Sequence, residues 1–476
     1  MSPKIASIYA PSLYWFAYQY HRGFVTSSDG TTAQTLEGIN PQWVANRYHR
    51  ILKKFEVELE LEFRQDEPAQ DFDLLMGPDD ERAIVQLTTP QDLEGFIYPQ
   101  SLHDSYALNL NIYQPESRGK EEYKIEDLAQ FNPGNCFKPE PESASNLGQT
   151  LLLSGYVETT PPAKIRDLEP LAKECWIKFF HLENGQALPP LYRAYNLFGG
   201  YLYEYGSPKA NLDKNPYGHL LIWLLFEEYP TLTLQNCYWE LPELFLYYHK
   251  ISKSFQESRI YYDCADRLIT NHETEFTPVS QTYLNRQNKD LLSARELQVL
   301  KITLKTLLET SLNYTKQLRN LEYACNSIAI NRKNYQSSLE QMEQLAQTPM
   351  EGLRLFHDKE AIAFQEQIRA DLNYFYPGSN LLNQSIATIR GLVEIDQAER
   401  DRHLEHQIQT IGTAIAFGAI VASTSALLFE QSMTFPWQEP HGDRIHPFIL
   451  AVFLSIVAAA FAWGVAGFIR WVWNRR

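Results

Sequence analysis

The chain has 476 residues, with 42 Lys and Arg against 58 Asp and Glu, a formal net charge of −16 and a pI near 5.3. That length predicts two or three folding units, and an acidic balance without Lys/Arg patches excludes a nucleic-acid partner while suiting cations. Five scattered cysteines, odd in number and never spaced C-x-x-C, exclude a disulfide framework and a structural zinc site and predict a reducing, cytoplasmic setting for the large N-terminal part.

From residue 4 to about 159 the hydropathy pattern is that of strands. The stretch FEVELELEF at 55–63 alternates strictly, which predicts a strand with one buried face and Glu56, Glu58, Glu60 and Glu62 on the other. Such a row either collects divalent cations or is the solvated face of a sheet. Further strands are predicted over 83–88, 106–113 and 151–157, and helices over 41–54 and 172–181, where apolar spacing shifts to three and four. Neither G-x-x-x-x-G-K-[ST] nor G-x-G-x-x-G occurs, so no phosphate-cradling loop is expected. Loop composition marks 131–142 and Pro161-Pro162. The segment 188–249 is dense in aromatics, from Tyr192 and Tyr195 to Tyr247 and Tyr248, which form either a stacking pocket for a planar ligand or core packing.

After Pro242 the pattern turns helical. One helix is predicted over 243–269, followed by a link containing Pro278, and Ser293 with Glu296 then makes a capping box. Leu297, Leu300, Leu304, Leu307, Tyr314, Leu318, Leu321, Cys325, Ile328, Tyr335, Leu339, Met342 and Ala346 form a heptad seam on a helix that has to pair with another. A further helix starts at Pro349 and is predicted to stop at Tyr376-Pro377-Gly378, after which Ser379 caps a stalk helix.

The stretches 408–429 and 447–469 contain no Asp, Glu, Lys or Arg and are each long enough for about 30 Å of hydrocarbon. They predict a C-terminal transmembrane hairpin. Arg400 and Arg402 before it and Arg470, Arg475 and Arg476 after it, against Arg444 alone in the loop, predict cytoplasmic N- and C-termini in a multi-pass protein of the cell membrane. With no cationic start and apolar run near Met1, the hairpin is expected to be the targeting element. Asp396, Glu399 and Glu405 precede the first span as cation-attracting candidates at a pore mouth, or as an ordinary solvated helix face. On a helical wheel Thr410, Thr413, Phe417 and Thr424 share one stripe and are pore-lining candidates, although such hydroxyls also bond their own backbone. Gly412, Ala416, Ala419 and Ser423 form a neighbouring small-residue stripe suited to helix packing. Trp471, Trp473, Arg475 and Arg476 read as a membrane anchor. His403 and His406 are spaced as a metal- or pH-sensing pair, or lie on a solvated face.

The expected architecture is therefore α+β: an N-terminal cytoplasmic α/β domain over 1–240, a long antiparallel, coiled-coil-like helical stalk over 241–405, and two transmembrane helices within 406–476. In layout, and in pattern over about 381–476, this resembles the CorA-type divalent-cation transporters, and the stretch 395–424 also resembles bacterial two-span membrane proteins of similar layout. The first resemblance implies a pentamer whose first span lines a pore, with membrane lipid, further copies of the chain and a divalent cation as partners. The chain departs from that family where Gly-Met-Asn is expected, reading Ser425-Ala-Leu-Leu-Phe-Glu430 instead. The function expected is a CorA-like cation channel or transporter; the alternative is a non-conducting or ligand-gated membrane effector whose N-terminal domain binds a small ligand or protein. No enzyme motif and no cofactor site is expected.

Overall fold

The computed structural model describes residues 7–26, 33–36, 41–64, 71–76, 82–115, 122–139, 145–183, 188–210, 215–226, 229–284, 292–428 and 447–473. They form two compact units, one from 1–271 with 312–379, the other from 272–311 with 380–476. This division cuts across the expected 1–240, 241–405 and 406–476, because long helices run out of one unit and into the other without a break.

The first unit is built on a mixed sheet. Its centre is β1 (Ser7–Tyr20), flanked by β8 (Ser105–Tyr113) and β10 (Asn146–Tyr156), both antiparallel to it. Beyond β10 lie β13 (His219–Leu225), parallel to β10, then β12 (Gly200–Tyr205) and β11 (Leu191–Leu197); beyond β8 lie β6 (Glu94–Ile97) and β5 (Val85–Thr88). Every residue of β13 is buried, as expected of a strand covered on both faces.

Side chains alternate between the faces with period two. Leu13, Trp15, Leu110, Leu151, Leu153, Leu220 and Ile222 point into one apolar core with α1 (Gln42–Lys54) and α2 (Glu169–Phe179). Val44, Tyr48, Ile51 and Leu52 supply the buried stripe of α1 at helical spacing. The other face carries Tyr14, Phe16 and Tyr18 and is covered by the start of α4 (Leu241–Leu284): Phe16 lies 5.2 Å from Phe245, ring to ring, and the Tyr18 hydroxyl donates to the Pro242 carbonyl at 2.8 Å.

The predicted strand over 55–63 does not join the sheet. Val57, Leu59, Leu61 and Phe63 do turn toward the core and the four glutamates outward, but only Phe63 makes a bridge, to Leu75. Alternation reports which side chains are covered; it does not report whether the backbone finds a neighbour to bond.

The capping box forms as expected at the start of α5 (Ala294–Ala346): Ser293 N–H donates to Glu296 Oε2 at 2.7 Å and Glu296 N–H to Ser293 Oγ at 3.2 Å. The seam is buried at Leu300, Leu307, Tyr314, Leu318, Leu321, Ile328, Tyr335, Leu339 and Met342. After the short α6 (Glu351–Leu355) and a π-helical turn at Phe356–Glu360, α7 runs unbroken from Ala361 to Leu428, through Pro377. The expected stop at Pro377-Gly378 is absent: the helix continues through the proline, and next to it the Tyr314 hydroxyl donates to the Phe375 carbonyl at 2.7 Å.

In the second unit Leu300, Leu307 and Ile389 form a small core. α7 meets α8 (Pro447–Trp473) at Gly418, where an added Cβ would lie 3.3 Å from the Ser455 carbonyl oxygen and 3.4 Å from Ala459 Cβ. Ile408, Ile415, Ile420, Ile456 and Phe461 stay exposed. Among the described residues no helix is long and apolar enough to cross a membrane. Polar Gln409, Thr410, Thr413, Ser423 and Thr424 interrupt the first of the two stretches. This overturns the transmembrane hairpin and, with it, the multi-pass cell-membrane location and the cation channel or transporter. The fold is α+β, a mixed sheet with long helices.

Candidate functional site

The second face of the sheet carries a connected set of buried polar groups. Parallel pairing sets Thr150 of β10 directly opposite His219 of β13, and antiparallel pairing sets Arg193 of β11 opposite Glu204 of β12. From α4, His249 comes down onto the same face. Thr150 Oγ1 lies 2.8 Å from His249 Nε2 and 3.0 Å from His219 Nδ1; His219 Nε2 donates to Glu204 Oε1 at 3.2 Å; Arg193 donates to Glu204 Oε2 at 3.2 Å through Nε and to Glu360 Oε1 at 3.1 Å. Glu204, His219 and His249 are only 5–7% exposed. The threonine hydroxyl has one proton, so it donates to one imidazole and accepts from the other, and no member of the chain is left without a partner. Tyr248 stacks on His219 at 4.3 Å and 17°, fixing the ring.

Burial, helped by His219, holds the His249 imidazole well below its ordinary value of 6.5, so it is neutral at pH 7. Burial opposes the charge of Arg193, yet Glu204, Tyr192 and Glu360 raise it above its ordinary value, which keeps the ion pair charged.

The relay ends at a cleft of about 60 Å³ where β10 and β13 begin and β12 ends. Gly148, Gly206, Asn215 and Gly218 form one wall, and Tyr248, His249, Ser252, Lys253 and Gln256, on one face of α4, form the other. Glycine is required at 148: its φ is +125° and a Cβ would stand 2.7 Å from His249 Nδ1. Asn215 and Ser252, 6% and 5% exposed, each present a buried oxygen with no hydrogen-bond partner, Asn215 Oδ1 and Ser252 Oγ.

The residues singled out by sequence lie elsewhere. Thr410, Thr413 and Thr424 donate to the carbonyls of His406, Gln409 and Ile420 on their own helix, and Phe417 is 54% exposed. Gly412, Ala416, Ala419 and Ser423 are on the exposed side of α7, whose approach to α8 uses Gly418 instead. Asp396 is buried, accepting from Leu292 N–H and Arg400 Nε, both at 2.7 Å, so it ties α7 to the lead-in of α5; Glu399 and Glu405 are exposed. Arg475, Arg476 and the side chains of Trp471 and Trp473 lie outside the described residues. No group of three or more His, Cys, Asp or Glu placed to hold a metal ion occurs among the described residues, His403 and His406 included. None of the five cysteines forms a disulfide, and burial pushes the Cys136 thiol up to about 12 and that of Cys237 to about 11. Of the aromatics over 188–249, Tyr203, Trp223 and Tyr238 are core, while Tyr248 reaches the cleft.

Sequence reasoning missed Thr150, Glu204, Asn215, His219, His249 and Ser252. One signal was there: Glu204 and His219 sit in GYLYEY and HLLIWLL, where a polar residue inside an otherwise apolar strand has to be satisfied in the interior. No family model matches the chain and no curated protein matches it, so nothing in those comparisons identifies it as CorA-like.

Proposed function

We propose that the first unit is a binding module that takes a small molecule in the cleft between the sheet and α4, without catalysing its conversion. The observation that carries this reading is a cleft walled by oriented, buried side chains, two of which, Asn215 and Ser252, hold a buried oxygen without a hydrogen-bond partner. Native interiors leave few polar atoms unpaired, and a concave site that gathers two of them offers a partner two places to bond. Catalysis is disfavoured by the same groups. His249, far below its ordinary value, is a weak base at neutral pH.

A fragment screen by thermal shift on the full chain, repeated on Ala210→Trp, tests this. Ala210 lines the cleft, and an indole there fills it. Fragments that stabilise the wild type and lose their effect in the variant support the module. Hits that survive the substitution, or no hits at all, overturn it.

A further inference from the structure

What the cleft can offer a ligand is set by which of its donors and acceptors are already committed. Its glycine N–H groups are: Gly148 N–H goes to Asn146 Oδ1 at 3.0 Å, Gly206 N–H to the Pro190 carbonyl at 3.3 Å and Gly218 N–H to the Asn215 carbonyl at 3.3 Å. The Gln256 amide donates to the Pro208 and Ala210 carbonyls at 3.1 and 3.0 Å. Lys253 already makes an interaction within the chain. A glycine-lined site that binds phosphate or carboxylate needs converging free N–H groups, and these are spent. His249, neutral in its buried setting, adds no positive charge.

The open groups have the opposite character. Asn215 Nδ2 donates to the Gly218 carbonyl at 2.6 Å, which fixes the amide with Oδ1 as the free end, and Oδ1 can only accept. Ser252 Oγ can give one bond and take another. On the reading that the cleft is a ligand site, we propose that its ligand is a neutral molecule bearing hydroxyl or carboxamide groups, which donates to Asn215 Oδ1 and makes a second bond with Ser252 Oγ. Tyr248, in the same wall and stacked on His219, gives such a molecule an apolar flank.

The test uses the full chain, titrated with a panel of sugars, polyols and carboxamides beside phosphate, acetate and citrate, with binding read by calorimetry and by thermal shift. At least one neutral probe is expected to bind. Ser252→Ala should weaken that probe about tenfold while leaving the melting temperature of the free protein unchanged or higher, since it deletes a buried hydroxyl that has no partner. Asn215→Ala should weaken it further, and Ser252→Ala keeps the test decisive if that turn fails to fold. Binding by the anions alone, lost in Ser252→Ala, would overturn the neutral class while leaving the cleft as a ligand site. Neutral probes indifferent to Ser252→Ala would overturn it as well. A cleft that binds none of the panel holds water only, and both readings fall.

Discussion

The two faces of the one sheet are built on different terms. Under α1 and α2, Leu13, Leu110, Leu153 and Ile222 meet other apolar side chains, and such neighbours can be exchanged for others of similar volume. Under α4, Thr150, Glu204, His219 and His249 depend on particular partners at fixed distances. The apolar face resists loss of volume in proportion to what is lost. The polar face fails abruptly when one member goes, because what remains is a buried group without its bond. Stability and specificity are thereby divided between opposite sides of a single layer.

The sharpest way to expose that division is Glu204→Ala. It leaves Arg193, whose side chain is 14% exposed, facing only Glu360, and should cost about 3–5 kcal/mol in urea unfolding. Arg193→Met with Glu204→Leu should recover most of that loss, since apolar groups of similar size need no partner, but ligand affinity should not return with it, because His219 has lost the acceptor that orients it. A single variant as stable as the wild type would place the ion pair outside the energetics of the polar face.

A smaller effect separates the faces by pH. His249 is neutral in the fold and held below its ordinary 6.5, so as the pH falls the unfolded chain takes up the proton first. Its contribution is therefore complete above about pH 6.5 and is lost from there downward, toward the depressed native value, at up to about 1.4 kcal/mol per pH unit. His249→Gln keeps an N–H for Thr150 and removes the titration, so the slope between pH 6.5 and 5 should flatten even though the plateau drops. His272, bonded to Ser385 and also lowered by burial, adds a slope of the same sign in both proteins, so the difference between them isolates His249. Parallel slopes would acquit His249.

The apolar face was the part legible in the sequence. The helices predicted over 41–54 and 172–181, the strands predicted over 83–88, 106–113 and 151–157, the capping box at Ser293 and the heptad seam all rest on local spacing, and each has its counterpart in the structure, with ends shifted by a few residues. The relay was not legible, because it depends on register. Thr150 and His219 are 69 residues apart, and Thr150 and His249 are 99, brought together by a parallel pairing that no turn between them fixes. The run through Pro377 was not legible either, since a proline read locally ends a helix and this one lies inside α7. At the C-terminus, charge-free composition suggested spans, and Asp396, read as a cation attractor, proved to be a buried tie.

The smallest effect gives the cleanest contrast. Ile222 is fully buried in β13, opposite Leu153 on one side and Tyr203 on the other, and it points away from the cleft although its strand begins at His219. Ile222→Val removes one methylene from the apolar core and should cost about 1 kcal/mol. That loss should be the same at pH 5.5 and 7.5, and the binding constant of any cleft ligand should stay within twofold, since no polar partner is involved. Urea unfolding at both pH values with one titration per protein checks it. A loss that grows at low pH would mean that the packing of the apolar face controls the burial of His249 through His219, which shares β13 with Ile222 and meets His249 across Thr150, and the two faces would then be one cooperative structure and not two independent ones.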